Sequence, residues 1–98
     1  MKFVLPLSYR ECVSLIRQEV EDNDMDDVVR VIVKPEEMIV KVSMHGTSRM
    51  TFSVKQNQKS TQFELEDEEI SFFHKKYRKE IRQYLKEAIK AGGGELAN

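Results

Sequence analysis

VVRVIVKPEEMIVKVSMHGTSRMTFSVKQNQKSTQFEL, residues 28–65, is the stretch of this 98-residue chain that decides its fold. It contains four runs rich in β-branched and aromatic residues, and turn-forming residues such as Pro35 and Gly46 separate them. Apolar and polar residues alternate within each run, which is typical of a sheet with one buried and one open face. A sheet of this kind is antiparallel. The predicted strands are 28–34, 37–44, 49–55 and 60–65.

The register of the first hairpin follows from the rule that paired residues point to the same face of a sheet. A four-residue turn at 34–37 pairs Val33 with Met38, and both belong to the apolar set. The same register places Arg30 directly across from Lys41 on the polar face. Like charges in this position destabilise a sheet, so an anionic ligand would relieve the repulsion.

The two later hairpins follow the same rule. A two-residue loop at His45 would place an apolar residue opposite a polar one, so we predict an odd loop or a bulge that pairs Val42 with Met50. The next loop pairs Phe52 with Phe63. A simple meander is consistent with all three hairpin connections, and its first and fourth strands are edges.

Helix signals stand on either side of these strands. Ser8 and Glu11 have the spacing of a capping box and predict a helix that begins at Tyr9. Asp67 is the predicted N-cap of a second, longer helix, which the glycines at 92–94 end. The predicted apolar stripe of the second helix contains Ile70, Phe73, Tyr77, Ile81, Tyr84, Leu85 and Ala88.

Together these elements predict an α+β fold, an α-β-β-β-β-α two-layer sandwich. Its antiparallel four-stranded meander carries both helices on one face. We expect a single domain over residues 1–98, with an ordered core at about 7–91 and a tail at 92–98. The sequence leaves open whether residues 2–5 add a fifth strand.

The composition fits a small domain with one core. Apolar residues make up 40% of the chain, charged residues 34%, and the net charge is −1. This balance excludes a strongly basic nucleic-acid packaging protein. The single cysteine, Cys12, cannot form an internal disulfide, and no apolar run reaches the length of a signal peptide core or a membrane span. We therefore expect a cytoplasmic protein that does not bind membranes.

No motif in the chain predicts catalysis or metal binding. Cys12 lies on the apolar side of the first helix, and no histidine is close to it in sequence. His45 and His74 lie in different predicted elements. The acids at positions 22, 24 and 26 resemble the start of a calcium loop, but Asp27 stands where that loop needs glycine. The sequence therefore predicts a chain that is not an enzyme, with no catalytic residue, metal ligand or cofactor.

Charge is segregated along the chain, and this is its most informative feature for function. A predicted ridge on the second helix, opposite the buried stripe, contains Lys75, Lys79, Arg82, Lys86 and Lys90. A solvated helix face is the alternative interpretation of this ridge. The open sheet face is a second basic surface. The residues predicted to bind a partner are Arg30, Lys41, Arg49, Phe72, Lys75, Lys79, Arg82 and Lys86.

The order of helix, strands and helix, with bases on the last helix, is similar to that of double-stranded-RNA-binding domains. That resemblance would imply recognition of duplex shape. The chain has four predicted strands rather than three and lacks a Gly-Pro-x-His loop between the first two, so we do not assign it to that family. The sequence favours a non-catalytic module that binds a protein partner through the second helix or the open sheet face. Nucleic-acid binding by the same bases is the alternative, and pairing of two copies through an edge strand is a further expectation.

Overall fold

A computed structural model of the chain describes residues 1–71 and 78–96. Within these residues it has two α-helices and six β-strands that form one sheet. The helices are α1 (Tyr9–Asp22) and α2 (Arg78–Ala91). The strands are β1 (Lys2–Leu5), β2 (Val29–Lys34), β3 (Glu37–Ser43), β4 (Thr47–Gln56), β5 (Thr61–Glu69) and β6 (Glu95–Leu96).

The sheet is antiparallel and has the order β2-β3-β4-β5-β1-β6. The α+β class and the meander, now β2 to β5, are confirmed. β1 is an additional strand that pairs with β5. Phe3 and Leu5 of β1 are almost fully buried, and the Phe3 ring stacks on that of Phe63 with 4.9 Å between centroids. The ordered core therefore begins before residue 7, because β1 supplies two of its side chains.

β1 also changes which strands are edges. β5 was predicted to be an edge but lies between β4 and β1, so residues 61–64 of β5 are paired on both sides. The two-residue β6 stands at that end of the sheet. β2 is the edge at the opposite end, as the sequence predicts.

The glycines after α2 do more than end that helix. α2 stops at Ala91, as predicted, and Gly93 has a left-handed φ of 74°. The chain then turns onto β1, where Glu95 pairs with Val4. A Cβ at Gly94 would lie 2.7 Å from the Val4 carbonyl oxygen, so only glycine allows this close approach. The predicted tail at 92–98 thus includes a short strand.

The register of the first hairpin is confirmed. Val33 pairs with Met38, as the alternation of apolar residues requires. α1 is fixed to this hairpin by Tyr9, whose hydroxyl lies 2.9 Å from the Lys34 carbonyl oxygen and 3.0 Å from that of Glu37. The helix therefore covers the apolar face of β2 and β3.

The second hairpin has the predicted odd loop, but its register differs by two residues. Val42 pairs with Ser48, where we predicted Met50. His45 adopts a left-handed φ of 58°, which permits a tight loop of the three residues 44–46. The faces of the strands are as predicted because a shift of two preserves them.

The third hairpin is also tighter than predicted. Phe52 pairs with Leu65, where we predicted Phe63. A hydrogen bond of 2.8 Å from the Asn57 N–H to the Ser60 carbonyl oxygen closes a short turn, and both strands extend towards it. Again the strand faces are as predicted.

β5 runs past the position where the sequence places a helix start. Asp67 is not an N-cap, because it lies inside β5 and pairs with Thr51. The neighbouring pair is Phe52 with Leu65, so Glu66 is an extra residue on β5 and forms a bulge. Beyond the bulge, the alternation of faces along β5 is shifted by one residue.

Both helices cover the same face of the sheet, as predicted. Ser8 caps α1, since its Oγ accepts a hydrogen bond of 3.2 Å from the Glu11 N–H.

The core residues are Phe3, Leu5, Tyr9, Cys12, Val13, Ile16, Met38, Val40, Met50, Phe52, Val54, Phe63, Leu85, Ala88 and Ile89. Of the predicted stripe on the second helix, Ile70 precedes α2 and Phe73 and Tyr77 lie outside the described residues.

Candidate interaction surface

Three bases lie side by side across the open face of the sheet. Arg30 on β2 is directly opposite Lys41 on β3, and Lys41 is directly opposite Arg49 on β4. We call Arg30, Lys41 and Arg49 the basic row. Neighbouring strands are about 4.8 Å apart, so the row spans about 10 Å. The predicted opposition of Arg30 and Lys41 is confirmed, and Arg49 extends it.

No acidic side chain among the residues that the structure describes forms an ion pair with the basic row. Glu69 on β5 is directly opposite Arg49, yet no ion pair within 4.0 Å joins them. Arg30 and Lys41 likewise form no ion pair within residues 1–71 and 78–96. Like charges opposed across strands destabilise a sheet, so the row costs the fold free energy.

An apolar pair lies beside the basic row. Ile32 on β2 and Ile39 on β3 are directly opposite each other on the same open face. Ile32 is 39% exposed, which is high for a large apolar side chain. A partner that contacts the row would therefore also find an apolar contact next to it.

The other side of the open face is acidic. Glu64, Asp67 and Glu69 of β5 are exposed and pair with open-face residues of β4. Glu66 also lies on this face, because its Oε1 accepts a hydrogen bond of 3.0 Å from the Ser53 hydroxyl. The bulge thus places two consecutive acids, Glu66 and Asp67, on one face. We call these four residues the acidic strand.

The bulge sends Glu68 to the other face, under the helices. Glu68 pairs with the buried Met50, and its Oε2 accepts a hydrogen bond of 2.8 Å from Nη2 of Arg82 on α2. The side chains of Glu68 and Arg82 are 13% and 35% exposed. This pair ties α2 to β5.

Arg82 therefore does not lie on a ridge opposite the buried stripe, which corrects that part of the predicted helix surface. The buried residues of α2 include Leu85 and Ile89, three and seven positions after Arg82, so Arg82 flanks the covered side of the helix. Lys79 and Lys86 are exposed, as predicted. Phe72 and Lys75 lie outside the described residues, so the ridge as a whole stays a prediction.

Of the candidate reactive groups, the two that the structure describes, Cys12 and His45, are not brought together. Cys12 is fully buried in the core, and desolvation raises the pKa of its thiol. His45 is exposed in its hairpin loop, and His74 lies outside the described residues. No group of three or more histidine, cysteine, aspartate or glutamate side chains among the described residues could hold a metal ion.

A small cleft opens between the two helices and β2–β3. It has room for about 40 Å³, and Ile16, Val20, Val42, Tyr84 and Leu85 are among the side chains that line it. Its walls are almost entirely apolar. Recognition of a small molecule usually needs a few convergent polar groups, so the open sheet face is the stronger candidate surface.

The acidic strand and the Glu68–Arg82 pair were missed by sequence reasoning. The run of acids at 66–69 lacks the alternation that predicts a strand, and acids also suit a helix start. One signal did indicate a longer β5. If β4 begins at or before Arg49, its first residues need partners on β5 beyond Leu65. Only the bulge decides which of the acids point outwards.

Comparison of the chain with models of known families, with curated proteins and with solved structures finds no match. Neither described helix is long and apolar enough to cross a membrane. The arrangement of charge on the open face is thus the observation on which a function can be argued.

Proposed function

We propose that the chain is a non-catalytic module that binds another protein through the open face of its sheet. The observation that carries this proposal is the basic row, whose three bases oppose one another and form no ion pair within the described residues. Carboxylates on a partner would remove the repulsion on binding, so the free energy lost in the isolated fold returns in the complex.

The partner's surface should carry both signs of charge. Acids on it would lie against the basic row, and bases would lie against the acidic strand, with Ile32 as an apolar contact beside the row on β2. A nucleic acid fits this face poorly, since its phosphates would meet Glu66 and Asp67 as well as the bases. The split charge therefore favours a protein.

Nucleic-acid binding through α2 is the second candidate. It is favoured by the exposure of Lys79, Lys86 and Lys90, which carry no ion pair within residues 1–71 and 78–96. Binding of this kind depends on phosphate contacts and so weakens steeply as salt is added. The two candidates use different surfaces, which makes them separable by mutation.

The test compares two triple variants that remove the same charge from different surfaces. The row variant carries Arg30→Gln, Lys41→Gln and Arg49→Gln, and the matched helix variant carries Lys79→Gln, Lys86→Gln and Lys90→Gln. Each immobilised protein is incubated with extract from the native cell, and the retained proteins are quantified by mass spectrometry. We expect at least about 10-fold lower retention of the specific partner by the row variant and unchanged retention by the helix variant.

Equal retention by the row variant and the unmodified chain would contradict the proposal. The same proteins are then titrated with a short RNA duplex and a single strand at about 50 and 200 mM salt. Salt-sensitive binding that the helix variant abolishes would instead support the second candidate.

A further inference from the structure

The edge of the sheet at β2 is an exposed surface that differs from the open face because it presents unpaired backbone groups. β2 is the edge strand at its end of the sheet, and Ile32 and Val33 on it are 39% and 42% exposed. Arg17 of α1 covers only one backbone group there, with its Nη2 donating to the Val31 carbonyl oxygen at 3.1 Å. Exposed apolar edges of this kind invite pairing with another strand.

The backbone N–H and C=O groups of Val31 point away from β3. The Val28 carbonyl oxygen accepts a hydrogen bond of 2.8 Å from the Ser43 N–H of β3. Along a strand, the backbone groups of successive residues point alternately towards one neighbouring strand and away from it. The N–H and C=O of Val31 and Val33 therefore face the edge. A groove beside them, lined by Arg17, Val20 and Glu21 of α1, Asp26 and residues 29–32, leaves this edge accessible.

We propose that two copies of this chain associate by antiparallel pairing of their β2 strands, with Val31 on the two-fold axis. The charges at the two ends of the strand select a second copy in this orientation. Asp26 and Asp27 precede β2, and Lys34 ends it in an exposed ion pair of 3.8 Å with Glu37. Parallel pairing would place the aspartates of the two copies side by side, whereas antiparallel pairing separates them and brings those of each copy towards Lys34 of the other.

Charge also selects the register. Residues of the same sheet face must be opposite each other, so the axis passes through a residue near the middle of β2. With Arg30 on the axis, Arg30 would oppose itself, and with Ile32 on the axis, Arg30 would oppose Lys34 of the second copy. With Val31 on the axis, Arg30 lies opposite Ile32 of the second copy. This is the one central register in which no base opposes a base.

The dimer that follows is a weak one. A pair of six-residue strands buries less surface than a standard protein interface, and each Arg17 must release Val31 before the strands can pair. We expect a dissociation constant of roughly 100 µM, which sedimentation equilibrium measures over protein concentrations up to about 1 mM.

The sharpest variant is Val31→Pro. Because the Val31 N–H faces the edge, proline removes it without removing a β2–β3 hydrogen bond. We expect it to raise the dissociation constant at least about 10-fold, while the matched variant Val31→Thr, which keeps the N–H, changes it less than about 3-fold. Circular dichroism checks that both variants fold, and Val33→Lys, at an exposed position, provides a second block should Val31→Pro not fold.

A cross-link tests the register. Val31→Cys would place two thiols across the axis, with Cα atoms about 5.5 Å apart, within the range of a disulfide. Val29→Cys would oppose Val33 instead and should not cross-link. A chain that stays monomeric at about 1 mM, a dimer that both edge variants leave intact, or faster cross-linking through Val29→Cys would each overturn the proposal. Arg49→Gln, on the open face, should leave the dissociation constant unchanged, so this dimer and the proposed function can fail separately.

Discussion

The two faces of the sheet use the same kinds of charged residue in opposite ways. On the face under the helices, Glu68 and Arg82 form a hydrogen-bonded ion pair of 2.8 Å between β5 and α2. On the open face, Arg49 and Glu69 are directly opposite each other and form no ion pair within the described residues. Charge on the covered face stabilises the fold, while charge on the open face is available to a partner.

The largest expected difference between the faces is a loss of stability at Glu68. Glu68→Gln removes the charge that Arg82 contacts in a mostly desolvated position, so we expect the free energy of unfolding to fall by about 1–3 kcal/mol. The matched control is Glu69→Gln, one residue further along β5 and on the open face, which should change it by less than about 0.5 kcal/mol. Urea unfolding measures both, and equal losses would show that the two faces do not differ in this way.

How far the sequence predicts this contrast depends on how many residues separate the interacting positions along the chain. The opposition of Arg30 and Lys41 follows from a short turn and the alternation of apolar residues, both of which are local. The place of β1 does not, because a four-residue strand gives no signal for a partner some sixty positions away. The predicted order of elements therefore lacked β1, and β5, which was predicted to be an edge, lies between β4 and β1.

The acidic strand shows a second limit. Alternation along a strand predicts faces only while the register is regular, and the extra residue Glu66 shifts it by one. The same acids have high propensity for the first turn of a helix, which is where the sequence placed them. The sequence thus identified Arg82 as a basic surface residue, but its partner Glu68 became apparent only from the position of the bulge.

A second test of the contrast uses alkaline pH. Desolvation under the helices raises the pKa of both Cys12 and Tyr9 above the ordinary values of 9.0 and 10.0 for these side chains. The unfolded chain loses these protons first, so their contribution to stability is complete below pH 9 and falls as the pH rises through the folded-state values. The loss cannot exceed about 1.4 kcal/mol per pH unit for each group.

Cys12→Ala separates the two titrations. The variant should show a shallower decline of the free energy of unfolding between about pH 9 and 10 than the unmodified chain, because the thiol, with the lower ordinary pKa of the two groups, releases more of its proton in the unfolded state there. Thermal unfolding followed over this range gives the slope at each pH. Identical slopes for the two proteins would mean that the thiol is not desolvated by the covering helices.

The smallest effect expected is a gain of stability on the open face. Lys41 stands at the centre of the basic row, with a base directly opposite it on each side. Lys41→Thr should therefore raise the free energy of unfolding by about 0.5 kcal/mol at low salt. At about 1 M salt, where charges are screened beyond about 3 Å, the charge-dependent part of the gain should disappear.

Lys55→Thr is the matched control. Lys55 is on β4 and lies on the open face like Lys41, but its partner on β5 is the uncharged Gln62. Both variants gain the strand preference of threonine, which does not depend on salt, so the difference between them isolates repulsion within the row. A gain at Lys41 that is no larger than at Lys55, or that persists unchanged in high salt, would remove the energetic reason for the row to attract an acidic partner. A salt-sensitive gain would mean that the isolated fold bears a cost at the position where the partner's carboxylates are proposed to bind.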